Sequence, residues 1–504
     1  MNESDAMTKR ANACLWAAFG LGVVLRLIQY LYNRSFWQDE VELALNVIQR
    51  DFAHLAEPLA GDQAAPYLVL VLFKAMHALF GVNDYAFRFA PLAFSIGGLA
   101  LFVPLSRRLL SAKGALGSVI LLAIAPTAVN FSVEYKQYAV DGFATIWILL
   151  ALTPLLEGRR TPHAWIHAAI AGGVSVWLSF PAVFVLAGAG TAMLFAQWKA
   201  WQKLGLPLTL VGLWIALFAG HYALVGSAAA DNDSLNDFWG GHMLPLPTSL
   251  DKINVFWHKM LHIADYSLPY PWPIVPLMAA YVGFAFLARK RPVSAAAIGL
   301  PFLAVMGASM LGLYPIYSRL ILFLQPLVCL ATGVSVGYLA GAGNPRSKLR
   351  ILCYAVAACF LLPLVWESGG DAWKPSERQA TQSVARALAD VRQPEQPVLV
   401  RPLEARQLGY YAERYGIPAD SICVRKPASD DPSEILSTLY PIDGQTLIWV
   451  FILQRYGAVN TAKNSLENTL RPTGRILGSQ RFMMCDLYLI DVAGLIPPDK
   501  ATNN

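Results

Sequence analysis

Charge is scarce in this sequence. Only 14% of its 504 residues are Asp, Glu, Lys or Arg, against roughly 25% in soluble domains. The chain is 56% hydrophobic, with a mean hydropathy of +0.45. Apolar runs near the spanning length of about 20 residues recur from Ala11 to about Val365, which excludes a soluble globular fold for that stretch. Also missing are a Walker loop, zinc-ligand spacing and a nucleophile elbow, so nucleotide-hydrolysing, zinc-finger and serine-hydrolase classes have no support. The net charge of +6 is small and sits in short loops, which predicts no nucleic-acid partner. The first apolar run is long and lacks a small-residue cleavage site, so it reads as a retained anchor rather than a signal peptide.

What is present is a polytopic α-helical membrane body, residues 1–367, followed by a compositionally soluble tail, 368–504. The pattern predicts spans at about 12–33, 86–106, 115–133, 138–156, 164–180, 181–197, 205–225, 272–288, 293–312, 320–342 and 351–367, about eleven in all. The run Pro66–Phe80 is apolar but short, and it carries Lys74 and His77. Short cytoplasmic loops collect Lys and Arg. Taking Pro66–Phe80 as a surface helix puts Arg107/Arg108/Lys113, Arg159/Arg160, Lys199/Lys203, Arg289/Lys290/Arg291 and Arg346/Lys348/Arg350 on the side of Lys9 and Arg10. The N-terminus is then cytoplasmic, while the loop 34–85, the segment Glu134–Asp141, the loop 226–271, Leu313–Arg319 and the tail face outward.

That outer face holds the chemistry. Asp39 and Glu40 stand side by side at the end of the first span, where carboxylates are rare unless they bind, pair or react. Gln38–Arg50 is amphipathic and suits a helix in the headgroup layer. Asp39 with Glu42 also fits a capping box at its start, and the two roles are compatible. In Val133-Glu-Tyr-Lys-Gln-Tyr-Ala-Val-Asp141, the residues Glu134, Tyr138 and Asp141 fall at i, i+4 and i+7, one face of a helix. Two carboxylates and a phenol there suit a divalent cation such as Mg or Mn, or polar ligand groups; pairing of Glu134 with Lys136 or Lys74 is the plainer alternative. Arg319, in Tyr314-Pro-Ile-Tyr-Ser-Arg319, can snorkel to headgroups or present its fork to a phosphate. Lys74, Arg88 and Lys136 are further phosphate candidates. The loop 226–271 is rich in aromatic and polar groups, among them Asp231, Asp233, Asp237, Phe238, Trp239, His242, Trp257 and His258, which usually means interfacial anchoring. His221 reads as a satisfied polar residue between helices.

The tail alternates patterns. Pro397–Arg401, Gln445–Leu453 and Arg481–Asp491 predict strands, and Leu403–Tyr415 and Asn460–Leu470 predict helices, giving a small α/β domain. Of six cysteines, Cys423 and Cys485 share this tail and could form a disulfide in an oxidising compartment.

In combination, Asp39-Glu40 after a first span, a loop closing near Pro66-Tyr67, Phe80-Gly-Val-Asn-Asp-Tyr-Ala-Phe-Arg88, the basic turn Arg107-Arg108, Glu134-Tyr-Lys-Gln-Tyr138 and a late Tyr-Ser-Arg319 resemble the GT-C superfamily of glycosyltransferases. More narrowly, they look like the bacterial branch related to protein O-mannosyltransferases and the lipid A aminoarabinose transferase. The resemblance covers about 1–345 well and the tail more loosely. It implies inverting transfer of a sugar from a polyprenyl-phosphate donor to an envelope glycolipid, glycan or protein at the outer face of a bacterial inner membrane. Asp39 matches the family's base, with Glu40 orienting it or the acceptor. Arg319, and next Lys74 or Lys136, would meet the donor phosphate, and Glu134 or Asp141 matches a second carboxylate that helps hold a metal or polar substrate groups. Ala65 replaces a basic residue that the aminoarabinose transferase carries before its loop proline, which suggests a different donor geometry. A transporter or flippase for a lipid-linked saccharide is the main rival. Such proteins place ionisable groups near the midplane of repeated, broken helices, and this sequence shows no convincing repeat.

Overall fold

The structure, a computed structural model, describes residues 3–197, 204–340, 348–375, 377–426, 436–454 and 461–495. Lys199, Lys203 and Arg346 of the expected basic loops lie outside them. The chain divides into two compact units, Met1–Asn33 with Val47–Pro375, and Arg34–Asn46 with Ser376–Asn504. The expected boundary at residue 367 therefore falls inside the helix Lys348–Trp373. The segment carrying Asp39 and Glu40, expected in the membrane body, belongs to the second unit.

The first unit is helical and embeds in a membrane. Among the described residues seven helices are long and apolar enough to cross: Asn12–Tyr32, Asp84–Leu109, Tyr138–Leu156, Gly205–Ala230, Pro292–Met310, Ser318–Leu339 and Ile351–Trp373. A further apolar pair, Ala112–Ile124 and Pro126–Val133, meets at 52°, the geometry of a broken span or a re-entrant loop. The other expected spans are also helices, Pro162–Leu178, Ala182–Gln197 and Ile274–Lys290, but of only 16 or 17 residues. Tyr67–Phe80 is an apolar helix of 14 residues, short for the roughly 30 Å hydrocarbon layer at 1.5 Å per residue.

The break has a definite chemical support. Pro126 has no N–H, so the Leu122 carbonyl loses its partner four residues on. Inside a bilayer such a group must be satisfied by protein. Arg26, 1% exposed in the first span, supplies the donors. Its guanidinium reaches Leu122 O at 3.2 Å, Ala123 O at 3.1 Å, Gly22 O at 2.9 Å and Ser95 Oγ at 2.8 Å. Ser368 Oγ donates to the next carbonyl, Ile124 O. Beside the break, Ala112–Ile124 packs against Gln325–Leu339 through small residues. A Cβ at Gly333 would lie 1.9 Å from Ser118 Oγ, and one at Gly337 would lie 2.4 Å from the Gly114 nitrogen. Close helix approach of this kind supplies dispersion contact where water offers no hydrophobic drive.

The second unit is an α/β domain. Strands β1 (Val398–Val400), β2 (Ile422–Val424), β3 (Leu447–Leu453), β4 (Ile476–Phe482) and β5 (Cys485–Asp491) form one sheet in the order β2-β1-β3-β5-β4. The β1 strand is parallel to β2 and β3, and β5 runs antiparallel to β3 and β4. The expected strand Arg481–Asp491 is thus the turn and second arm of a hairpin. Cys423 lies in β2 and Cys485 in β5 with two strands between them, so at about 4.8 Å per strand they stand beyond the roughly 7 Å limit for bridging. The disulfide does not form, and burial pushes the Cys485 thiol up to about 12.

Candidate functional site

Asp39 and Glu40 open the helix Gln38–Gln49. Trp37 is its N-cap, with its carbonyl accepting the amides of Glu40 at 2.9 Å and Val41 at 3.0 Å. Glu40 is fully buried and its Oε2 accepts the Trp37 N–H at 3.3 Å, the reciprocal half of a capping box. Capping therefore falls to Glu40, three residues past the cap, rather than to Asp39 with Glu42. Glu42 instead pairs with Arg406 at 2.5 Å. The whole segment is pinned within its unit. Phe36 N–H donates to Tyr411 Oη at 2.6 Å, Gln38 N–H donates to Gln379 Oε1 at 2.8 Å, and the Arg378 guanidinium lies 4.6 Å from the Trp37 ring centre. Asp39 occupies the second position of the helix and keeps partial exposure, where the dipole and unpaired amides favour a carboxylate. Of the two carboxylates, Glu40 is built into the helix cap and Asp39 is the more exposed.

The other candidates belong to the first unit. Tyr138 opens the helix Tyr138–Leu156 and Asp141 follows one turn later. Arg319 stands in the first turn of the Ser318–Leu339 span, and its Nε donates to Tyr138 Oη at 2.7 Å. Tyr138, Asp141 and Arg319 thus come together at one end of two spans. Tyr314 completes the group. Burial, reinforced by the Asp141 carboxylate and by Tyr138, pushes its phenol well above the usual value.

Glu134 departs from expectation. A 3-10 turn ends at Val133, and Glu134 is extended at φ −75°, ψ 127°, so the stripe through Glu134, Tyr138 and Asp141 is not one helical face. Glu134 and Asp141 are nonetheless both buried, 1% and 5% exposed. Mg²⁺ takes about six oxygens. Among the described residues no group of three or more His, Cys, Asp or Glu is set to hold a metal. A cation here would have to draw most of its ligands from substrate and water.

The two lysines are occupied structurally. Lys74 Nζ donates to Val47 O at 2.9 Å and Ile48 O at 3.5 Å, a cation on helix C-terminal carbonyls. Lys136 is buried, and its ammonium donates to Gln63 while Gln137 Nε2 reaches Ala64 O at 3.5 Å. The loop before Pro66 is thereby tied to 134–138, with Ala65 2% exposed between them. Arg88 is fully buried. His221 accepts the Tyr67 N–H at 3.2 Å and stacks on Phe180, the satisfied interhelical role expected of it.

The sequence did not single out Lys259, His262 and Tyr266. On the helix Leu250–Ser267 they fall at i, i+3 and i+7, one face, and that spacing was the available signal. Tyr317 stacks on both His242, 3.8 Å between centroids, and His262, 5.3 Å. Lys259 Nζ donates to His242 O at 3.2 Å and Ile316 O at 3.1 Å. Burial holds the Lys259 ammonium below its ordinary value, and burial followed by the Lys259 charge lowers both His242 and His262.

Comparison with known proteins bears on the fold. Residues 64–223 match the family model described as dolichyl-phosphate-mannose-protein mannosyltransferase, a stretch that includes Lys74, Tyr138 and Asp141 but neither Asp39 nor Arg319. The chain is similar to ArnT from Cupriavidus metallidurans bound to undecaprenyl phosphate, with 14% identity, a TM-score of 0.51, and 98% of this chain and 99% of that one covered. It is also similar to the Archaeoglobus fulgidus oligosaccharyltransferase in complex with Zn and sulfate, with 12% identity, a TM-score of 0.53 and 87% and 67% covered. A third similar structure is AglB from Archaeoglobus fulgidus with an inhibitory peptide and a dolichol-phosphate, with 11% identity, a TM-score of 0.51 and 98% and 75% covered. No curated protein matches in sequence.

Proposed function

Because residues 64–223 match a mannosyltransferase family model and the chain shares its fold with ArnT and AglB, we propose that it is a GT-C glycosyltransferase that transfers a sugar from a polyprenyl-phosphate donor with inversion. The observation that carries this is Arg319, held by Tyr138 at the end of a span, where a lipid phosphate would sit. ArnT bound to undecaprenyl phosphate and AglB with a dolichol-phosphate support a lipid phosphate as the ligand class. The apolar cavity of about 360 Å³ lined by Met260, Ile263, Leu277, Phe284 and Leu303 suits a prenyl segment.

In the proposed reaction the acceptor nucleophile attacks C1 of the sugar from the face opposite the phosphate. Asp39 takes the acceptor proton as general base. The C1–O bond to phosphate breaks, and polyprenyl phosphate departs with the bonding electrons. Arg319 stabilises the negative charge that grows on the leaving phosphate. Glu40 acts by fixing the helix that carries Asp39, and Asp141 by meeting polar substrate groups. A divalent cation, Mg or Mn, would be held by Glu134 or Asp141 together with the donor phosphate, and transfer before and after chelation tests it. The distribution of basic loops supports an N-terminus in the cytoplasm, with the site and the C-terminal domain periplasmic at a bacterial inner membrane. An envelope glycolipid, a cell-wall glycan or a protein fits the acceptor role.

A transporter finds less support. Arg26, the arginine buried within the first span, spends its donors on backbone carbonyls and Ser95 and is structural. The test is Asp39→Asn in purified protein supplied with polyprenyl-phosphate sugars. Transfer should disappear while expression and membrane insertion persist. Near-normal transfer in that variant would remove Asp39 from the mechanism.

A further inference from the structure

Arg319 is preceded by a residue in an unusual conformation. Ser318 has φ 46°, in the left-handed region that a non-glycine residue enters only against the clash of its Cβ with the backbone. Something must hold it there. Its N–H donates to His262 Nε2 at 2.9 Å, and its hydroxyl meets Tyr266 Oη at 3.1 Å. Both partners come from one face of the helix Leu250–Ser267. On the other side of the same residue, Tyr317 stacks on the His262 ring. The turn that aims Arg319 at Tyr138 is thus clamped by an imidazole.

A backbone N–H is a donor only, so Nε2 must carry no proton in the clamped state. We propose that His262 is a positioning residue for the donor-phosphate site: neutral, with its proton on Nδ1, it holds Ser318 and hence Arg319, and protonation at Nε2 releases them. The inference rests on the assignment of Arg319 to the donor phosphate. The groups that face His262 are Lys259, Asp265 and Tyr266 on its own helix, His242 on the preceding loop, and Tyr317 next to Ser318. Lys259 and His242 oppose a second positive charge, whereas Asp265 favours one. The neutral form therefore prevails at neutral pH, and the clamp opens as pH falls through a value below the ordinary imidazole range near 6.5.

The experiment measures undecaprenyl phosphate affinity in nanodiscs between pH 7.5 and 5 for the wild type, His262→Gln and His262→Ala. A phosphate monoester itself titrates near pH 6, but that change is common to all three proteins and cancels in ratios between them. Gln can accept the Ser318 N–H and does not titrate. His262→Gln should bind within about threefold of wild type at pH 7.5 and about tenfold more tightly than wild type at pH 5, the scale of one charge-assisted hydrogen bond. His262→Ala should be weak at both. Equal pH dependence in wild type and His262→Gln would overturn the proposal. The ¹⁵N spectrum of histidine-labelled protein adds a readout independent of the lipid. The resonance lost in His262→Gln should report an unprotonated, hydrogen-bonded Nε2 at pH 7.5, and a protonated Nε2 there would refute the clamp. If wild type binds no undecaprenyl phosphate at any pH while that resonance is as expected, the donor assignment of Arg319 fails and the Ser318 clamp stands.

Discussion

Replacing Tyr138 with Phe removes one oxygen and tests the donor site with little steric disturbance. Tyr138 Oη accepts from Arg319 Nε at 2.7 Å, and the Arg319 guanidinium carbon lies 5.8 Å from the ring centre. Phe keeps the ring and its edge contact with Phe131, so only the hydroxyl is lost. A hydrogen bond to a charged group contributes about 1.5–3 kcal/mol when buried. Arg319 is half-buried, so water recovers part of this and about 1–2 kcal/mol remains. If the bond aims the guanidinium at the departing phosphate, kcat/KM should fall about 5- to 30-fold. Melting should fall only modestly, because the Tyr138 ring stays packed. The assay is initial-rate transfer from a polyprenyl-phosphate sugar, run with Tyr138→Phe, Arg319→Gln and the double variant. A phenol that acts only through Arg319 contributes nothing once Arg319 is gone, so the double variant should match Arg319→Gln alone. The reasoning is refuted if Tyr138→Phe stays within twofold of wild type, or if the two losses simply add.

The remaining predictions concern support and pH. Glu40→Ala removes the reciprocal cap on Trp37 and should lower the stability of the second unit by about 1 kcal/mol, read as a lower melting temperature; an unchanged melt would show that the cap is idle. Arg26→Met leaves the Leu122 and Ala123 carbonyls without donors at about 1–3 kcal/mol each, so detergent-solubilised protein should lose several degrees of thermal stability in a fluorescence size-exclusion scan. Asp265→Asn deletes the nearby charge that favours protonated His262. The acid loss of undecaprenyl phosphate binding should then shift to lower pH, and a shift upward would contradict the sign.

Legibility in the sequence followed the physics of each region. The spans could be read because burying a charge in hydrocarbon is so unfavourable that apolar runs mark them. The 52° break could not, because what permits Pro126 is an arginine about a hundred residues away, and periodicity reports nothing on tertiary partners. The chain bends over 134–137 before the helix begins at Tyr138, so helical spacing was applied one turn too early and Glu134 was misplaced. In the tail, Met484 adopts φ 54° with no glycine to announce the turn, and β4 is a mostly exposed, polar edge. From the sequence the hairpin therefore reads as one strand. Arg319 was legible because a cation at a span boundary is conspicuous. His262 was hidden because its work is done on a backbone N–H.

The arginine beneath the helix break also bears on how this protein is made. Arg26 leaves the ribosome in the first apolar segment, yet its Ala123 acceptor lies 97 residues later. At about 5–20 residues per second, that interval is roughly 5–20 s. An arginine within an inserting helix costs at most about 2.5–3.5 kcal/mol, the value at the helix centre, and for this interval nothing from the later helix can offset it. The first span must wait at the translocon or float its arginine toward the headgroups until the apolar segment Ala112–Ile124 arrives. Insertion and tertiary folding are therefore coupled at the start of the chain, and the order in which the helices enter the membrane is constrained by one side chain.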